Sequence, residues 1–180
     1  MIIIRPIKAI DYDGLHRMAI DSGYGFTSLP VNEAILKQRI QHSEESFNLP
    51  LNKPSNQSYL FVMEDSQTGE IVGTSGIEAA VGLDNAFYHY HLGTVVHSSR
   101  KLNIHNRVKT LALCNDYTGA TEVCTLFLQE SHRNNGNGRF LSRCRFLFMA
   151  EHKERFSSCV IAEMRGISDK QGRSPFYEWL

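Results

Sequence analysis

The run from Thr121 to Arg155 constrains this chain more than any other part of it. TEVCTLFLQE is apolar and β-branched and predicts a buried strand. A helix is predicted from about Gly138 to Arg155, and between the two lies SHRNNGNGR, in which Arg133, Gly136 and Gly138 spell R-x-x-G-x-G. Glycine permits positive φ and lets the backbone approach a ligand without a side chain in the way. The helix such a loop opens has unpaired N–H groups and a positive dipole end, which suits a pyrophosphate. Arg133 can add charge-assisted contacts to the same group. NNGNG could equally be a plain turn before a helix; the strand–loop–helix setting is what favours a phosphate cradle. It is not a Walker A loop, since no G-K-[ST] follows, and the G-x-G-x-x-G dinucleotide spacing is absent.

The remaining elements place this unit in an α/β fold. Ile2 to Ile7 reads as a strand, and Asp11 opens a helix carrying Leu15, Met18 and Ala19 that ends near Gly23. After the loop GYGFTSLP, a second helix is expected from about Asn32 to Glu45, with Ile35, Leu36 and Ile40 at helical spacing. Residues 48–57 form a connector. SYLFVMED and IVGTSGIEAA flank the turn SQTGE as an antiparallel hairpin. Residues 81–120 read as an insert, with LGTVVHSS as a strand. The strand CVIAEMRG and the stub SDKQGRSPFYEWL close the chain. The order β-α-α-β-β-insert-β-α-β-α predicts a mixed sheet flanked by helices.

Charge and cysteine usage narrow the setting. Nineteen Lys and Arg balance nineteen Asp and Glu, which argues against a nucleic-acid binder or a polybasic membrane module. No apolar run approaches the roughly 18 residues of a membrane span. MIIIRPIKAIDYD also lacks the apolar stretch of about 7 residues that a secretory leader needs. Cys114, Cys124, Cys144 and Cys159 contain no C-x-x-C pair and read as reduced thiols, so a cytoplasmic protein is expected.

The R-x-x-G-x-G loop and the element order around it resemble the acyl-CoA pyrophosphate loop of the GCN5-related N-acetyltransferases. More narrowly, IRPI at 4–7, GFTSLP at 25–30, VGLDNAFYHYHLGTVVHSS at 81–99, NDYTGATEVCTLFL at 115–128, NNGNGRFLS at 134–142 and AEMRGISDKQGRSPF at 162–176 resemble the arginine N-succinyltransferase family. The resemblance covers almost the whole chain. It implies an acyl-CoA N-acyltransferase fold and transfer of a succinyl group from succinyl-CoA to the α-amino group of L-arginine, in arginine catabolism. Succinyl-CoA would be a cosubstrate, with no tightly bound cofactor and no metal. It also implies a homo-oligomer, or a hetero-oligomer with a related subunit. Members of this family run to roughly twice this length. Residues 1–180 are therefore expected to be the N-terminal part of such a domain, with the insert at 81–120, stopping before the fold's last strands and before the family's proton-donor histidine. The 14 residues after Gly166 are too few for a helix and two strands of about 5 residues each.

Carried onto this chain, the resemblance makes Arg133, Asn134, Gly136, Asn137 and Gly138 the phosphate cradle and has the backbone of Leu126 contact the acyl-CoA, the Leu126 side chain being core. An amine must lose a proton before it attacks a thioester. Glu78 and Glu163, on predicted strands where burial would raise a carboxyl pKa, and Asp116, in the loop before the CoA strand, are the candidates. The same three could pair with a guanidinium; a structural salt bridge is the competing role for each. Phe26, Thr27 and Ser28 are candidates for the acceptor pocket, and Tyr177 is expected to pack rather than donate a proton. His89 and His91 lack a third metal ligand nearby in sequence, and Cys124 reads as a buried structural thiol. The alternative overall is a non-catalytic acyl-CoA-binding fragment or subunit needing a second chain, whose open strand edge would self-associate.

Overall fold

A computed structural model of the chain describes residues 1–23, 26–50, 53–164, 166–169 and 171–179. Five strands form one sheet in the order β1 (Ile2–Pro6), β2 (Ser58–Asp65), β3 (Glu70–Glu78), β6 (Thr121–Leu128), β7 (Val160–Ile161). All neighbours are antiparallel except β6 and β7, the parallel pair that a helical crossover requires. Helices α1 (Tyr12–Ser22) and α2 (Glu33–Asn48) pack on one face and α3 (Asn137–Glu151) on the other. The chemistry of β2 explains the sandwich. Leu60 and Val62 point into the core with Leu15, Met18, Leu36 and Ile40, whereas Tyr59, Phe61 and Met63 point to the α3 side with Phe148, Phe156 and Leu141. A strand buried on both faces needs a continuous apolar run, and SYLFVM is one.

Close approach on both faces is built from small residues. A Cβ on Gly14 of α1 would meet the Ile71 Cβ at 2.7 Å, and one on Gly73 of β3 would lie 2.9 Å from Leu141. Beyond the end of β1, the N–H groups of Ser58 and Leu60 donate to the buried hydroxyls of Ser46 and Ser43 on α2. Two helix ends follow the sequence signals: the Asn32 side chain accepts from the Ile35 N–H at the start of α2, and Gly23, with φ 68°, closes α1. Asp11 does not cap α1 with its side chain. It is 4% exposed and grips Arg5 bidentately at 2.7 and 2.8 Å, while the Lys8 N–H donates to the same carboxylate. Arg5 also reaches Glu64 at 2.8 Å, tying β1, β2 and α1 together.

Several boundaries differ from expectation. Helix α2 runs three residues further, to Asn48, because Phe47 packs edge-on against Tyr59, Phe61 and Phe148. Helix α3 ends at Glu151 and a 3-10 turn covers Lys153–Arg155. The strand expected over CVIAEMRG shrinks to Val160–Ile161, with Arg165 outside the described residues. Tyr24 and Gly25 of the GYGFTSLP loop, Leu51 and Asn52 of the connector, and Lys170 and Leu180 of the stub also lie outside them. The insert is a separate two-stranded sheet of β4 (His89–Ser99) and β5 (Ile104–Cys114). The mixed Asn, His, Arg and Lys content of β5 hid it, because both faces of this arm meet solvent and no clean alternation is imposed. Strand β6 is less buried than its sequence suggests, since it pairs with β7 only at Thr121 and Glu122.

The Arg5–Asp11 pair has a pH consequence. Burial alone would raise the Asp11 carboxyl, but Arg5 and the Lys8 N–H outweigh it and hold the carboxyl below its ordinary 3.8. The contribution is therefore present above that pH and lost as pH falls below it. Asp11→Asn is expected to cost about 2–3 kcal/mol at pH 7, somewhat less than breaking a fully buried pair because Arg5 is partly exposed. Urea unfolding against pH checks this: the wild type should lose stability below about pH 4 more steeply than the variant, and parallel acid limbs would contradict the assignment.

Candidate functional site

The site begins where β6 leaves its neighbours. The register against β3 shifts between Thr74 and Gly76, so Thr125 and Leu126 lie opposite the single residue Ser75. Thr125 takes φ 50°, costly for a β-branched residue and one of three non-glycine residues with positive φ among those described. On the other edge, β7 stops at Ile161, leaving β6 without a strand neighbour there beyond Glu122 among the described residues. The bulge thus lies on an edge that no strand covers among the described residues. Leu126 is 43% exposed rather than core, and its side chain lines a cleft of about 510 Å³ together with Leu128, Arg133, Asn134, Asn135, Gly136 and Gly138.

The floor of that cleft is the glycine loop. Gly136 precedes α3 with φ 78° and Asn135 has φ 49°. No atom lies within 4 Å of where a Gly136 Cβ would stand, so the glycine is needed for its backbone conformation and not for space. The Asn137 N–H bonds to the Asn134 carbonyl and the Phe140 N–H to the Gly136 carbonyl. The N–H groups of Gly138 and Arg139 find no acceptor among the described residues and remain as donors at the positive helix end. Arg133 is braced by donating from Nε to the Leu128 carbonyl at 2.9 Å, and its terminal nitrogens make no hydrogen bond among the described residues. Asn134 and Asn137 donate to the carbonyls of Ser131 and His132, so their side chains hold the loop's shape.

Around the start of the bulged strand the charge reverses. Glu78 on β3 and Glu122 on β6 are directly opposite in register, an arrangement of like charges that destabilises a sheet. Burial first, then the nearby charges of Glu163 and Glu78, push the Glu122 carboxyl up to about 7. Arg39 of α2 lies 3.2 Å from Glu78 and also donates to the Ser28 carbonyl, while the Ser58 hydroxyl donates to Glu78 at 3.0 Å. The structure therefore brings Glu78 and Glu163 together with a carboxyl that sequence reasoning missed. Glu122 stood inside a segment read as a buried strand; a lone acidic residue in such a segment was the available signal. Glu163 is exposed and lies beyond β7, not on a strand.

Asp116 is elsewhere. It sits at the base of the β4–β5 arm, 3.9 Å from His89, where ligand atoms of His89, Cys114 and Asp116 lie within 4.8 Å of one another. The third group beside His89 that was not evident in sequence thus comes from the paired strand, but His89 Nδ1 is buried without the partner that orients a metal-binding imidazole. The Cys124 thiol is pushed up to about 12, chiefly by burial, and is no nucleophile at neutral pH. Phe26 packs against Phe127, and Phe26 and Thr27 line a second cavity of about 560 Å³ beside α1. Phe176 on α4 (Pro175–Trp179) packs against Tyr90, and Tyr177, expected to pack, meets the Phe176 ring edge-on while remaining 70% exposed. Among the described residues no helix is long and apolar enough to cross a membrane.

A bulged, splayed strand that feeds a glycine loop at a helix N-terminus defines an acyltransferase-type fold. Glucosamine-6-phosphate N-acetyltransferase from Arabidopsis thaliana superposes on 99% of this chain at 13% identity with a TM-score of 0.50, a likeness of fold alone. The arginine/ornithine succinyltransferase subunit AI from Pseudomonas aeruginosa matches far more closely, with a TM-score of 0.92 and 42% identity over 99% of this chain and 54% of that one. Arginine N-succinyltransferases of Salmonella arizonae and Escherichia fergusonii are 48% and 47% identical over all 180 residues, which is 52% of each relative. The chain belongs to the arginine N-succinyltransferase beta subunit family, whose sequence profile matches residues 2–180. It spans about half the length of the relatives it matches.

The loop geometry can be tested with coenzyme A as a pyrophosphate-bearing probe. Gly136→Val forces a β-branched residue into left-handed backbone at roughly 1–2 kcal/mol, so calorimetry should find affinity reduced about tenfold. Unchanged affinity would contradict the cradle.

Proposed function

We propose that the chain transfers a succinyl group from succinyl-CoA to the α-amino group of L-arginine, giving N2-succinyl-L-arginine and CoA. The observation that carries this is the group Glu78, Glu122 and Glu163 gathered at the start of the strand whose other end feeds the phosphate loop. Acidic groups set opposite one another, with Arg39 the one cation acting on Glu122 among the described residues, form a socket for a cationic acceptor. Arginine offers two cationic ends. The guanidinium can pair bidentately with one carboxylate, and the α-ammonium can give its proton to another. The family and its relatives' names point to the same substrates.

The residues then divide the work. The pyrophosphate of the acyl-CoA rests on the Gly138 and Arg139 N–H groups, with Arg133 beside it. The pantetheine arm lies along the open edge of β6, where main-chain groups near Leu126 bond it as a strand would. Glu122 takes the ammonium proton, and the nitrogen lone pair attacks the thioester carbon. Backbone N–H groups at the bulge hold the oxyanion. The C–S bond breaks as the amide forms, and the second proton of the attacking nitrogen passes to the departing thiolate.

In this reading the protein is a cytoplasmic enzyme that assembles with a second copy or a related subunit. Exposed Leu92 and Leu111, opposite each other on the arm, support an association surface, because an isolated two-stranded ribbon is marginal in water. The same feature, with the half-length match, favours the second reading, an acyl-CoA-binding subunit that turns over only with another chain.

Mass spectrometry of a reaction with succinyl-CoA and L-arginine separates the readings. N2-succinylarginine above a heat-killed control supports catalysis by these residues; coenzyme A binding without product supports the subunit. With product, kcat/KM should rise with pH through about 7, as Glu122 ionises. Glu122→Gln should remove that limb and lower the rate roughly 10²–10⁴-fold. A variant that keeps both rate and limb would remove Glu122 from the base role.

A further inference from the structure

Arg145, in the third turn of α3, is 4% exposed, yet its three hydrogen bonds among the described residues all go to neutral acceptors. Nε donates to the Ser142 carbonyl at 3.2 Å, Nη1 to the Cys124 carbonyl at 3.1 Å and Nη2 to the Ser142 hydroxyl at 3.1 Å. No carboxylate pairs with it among the described residues, and burial lowers its pKa. Arg5 and Arg39, both more exposed, are paired with Asp11 and Glu64 and with Glu78. A buried cation without a counter-ion costs several kcal/mol, and an apolar side chain of similar volume would often serve packing as well. The arrangement makes physical sense if the counter-ion arrives with a ligand.

The place where Arg145 meets β6 says which ligand. The Cys124 carbonyl immediately precedes the bulged Thr125, on the stretch of β6 that β7 has left unpaired. Arg145 is eight residues into the helix whose first turn bounds the phosphate loop, about 12 Å along its axis at ~1.5 Å per residue. That is the order of a pantetheine arm, so a thioester held from the loop would end near this guanidinium. Five N–H donors less three leave one each on Nη1 and Nη2, the pair that can engage both oxygens of a carboxylate.

Resting on the acyl-CoA reading above, we propose that Arg145 determines acyl specificity by pairing with the terminal carboxylate of a dicarboxylic acyl group. A four-carbon acyl chain ending in a methyl group leaves the cation unpaired and binds more weakly for that reason. Arg145 is then a specificity residue, separate from the carboxyl that moves the proton.

Calorimetry with succinyl-CoA, butyryl-CoA and coenzyme A tests this on the full chain, with thermal unfolding alongside. The wild type should bind succinyl-CoA more tightly than butyryl-CoA. Arg145→Met should lose about tenfold to a hundredfold in succinyl-CoA affinity, the value of a charge-assisted pair, and hold butyryl-CoA as before. Equal weakening of both ligands would overturn the proposal, since it would mean that Arg145 only props the bulge. Survival of the succinyl preference in the variant would overturn it too. If Arg145→Met does not fold, the wild type compared on succinyl-CoA and its terminal amide decides, and equal affinities overturn it. A wild type that binds none of these ligands, coenzyme A included, removes the acyl-CoA reading itself. One that binds coenzyme A and does not distinguish succinyl from butyryl removes only the role of Arg145.

Discussion

The parting of β6 from β7 after a two-residue pairing is the constraint on which the rest depends. Had β7 continued alongside, the main-chain groups of β6 would be spent within the sheet and the bulge would be sealed. Because β7 stops at Ile161, the far half of β6 has no strand on its outer edge among the described residues, and its Cys124 and Leu128 carbonyls accept instead from the Arg145 and Arg133 side chains. The bulge at Thr125 adds to this, since an extra residue against Ser75 turns the main chain out of register. The tight seating of α1 and α3, which Gly14 and Gly73 permit, keeps β2 and β3 rigid while their neighbour diverges. Flexibility is not needed to make the opening; the backbone topology makes it.

Charge is distributed around that opening by sign. The loop end is electropositive through the helix terminus and Arg133, suited to phosphates. The opposite end, where β6 still pairs with β7, is electronegative through Glu78, Glu122 and Glu163. A ligand with an anionic tail and a second ligand with a cationic head would each meet the matching end. Between them sits Arg145, buried from the helix side against the Cys124 carbonyl. Unmet electrostatic demand thus concentrates along one strand, whereas the Arg5–Asp11–Glu64 group on the far edge of the sheet is satisfied internally and serves stability.

Much of this was legible in the sequence where chemistry and local order coincide. The R-x-x-G-x-G run needs glycine at a positive-φ position before a helix, and Gly136 takes that conformation. The β2–β3 hairpin and the helix termini at Asn32 and Gly23 were also written locally. What escaped depends on register or on partners distant in sequence. Glu122 faces Glu78 only through the pairing of β3 with β6, 44 residues apart by their numbers. Asp116 looked adjacent to β6 but is drawn to His89 by the β4–β5 arm. The exposure of Leu126 follows from where β7 ends, which CVIAEMRG did not reveal. Arg145 looks like one more charge on a helix until its burial is seen.

In the proposed function an acyl-CoA lies along the open edge of β6 with its pyrophosphate on the α3 terminus. Amide hydrogen exchange with and without succinyl-CoA tests it most directly. Slowed exchange is expected at Leu126 and at Gly138 and Arg139, with the amides of the β4–β5 arm unchanged. Unaltered exchange at both the bulge and the helix terminus, under conditions where calorimetry shows the ligand bound, would contradict it.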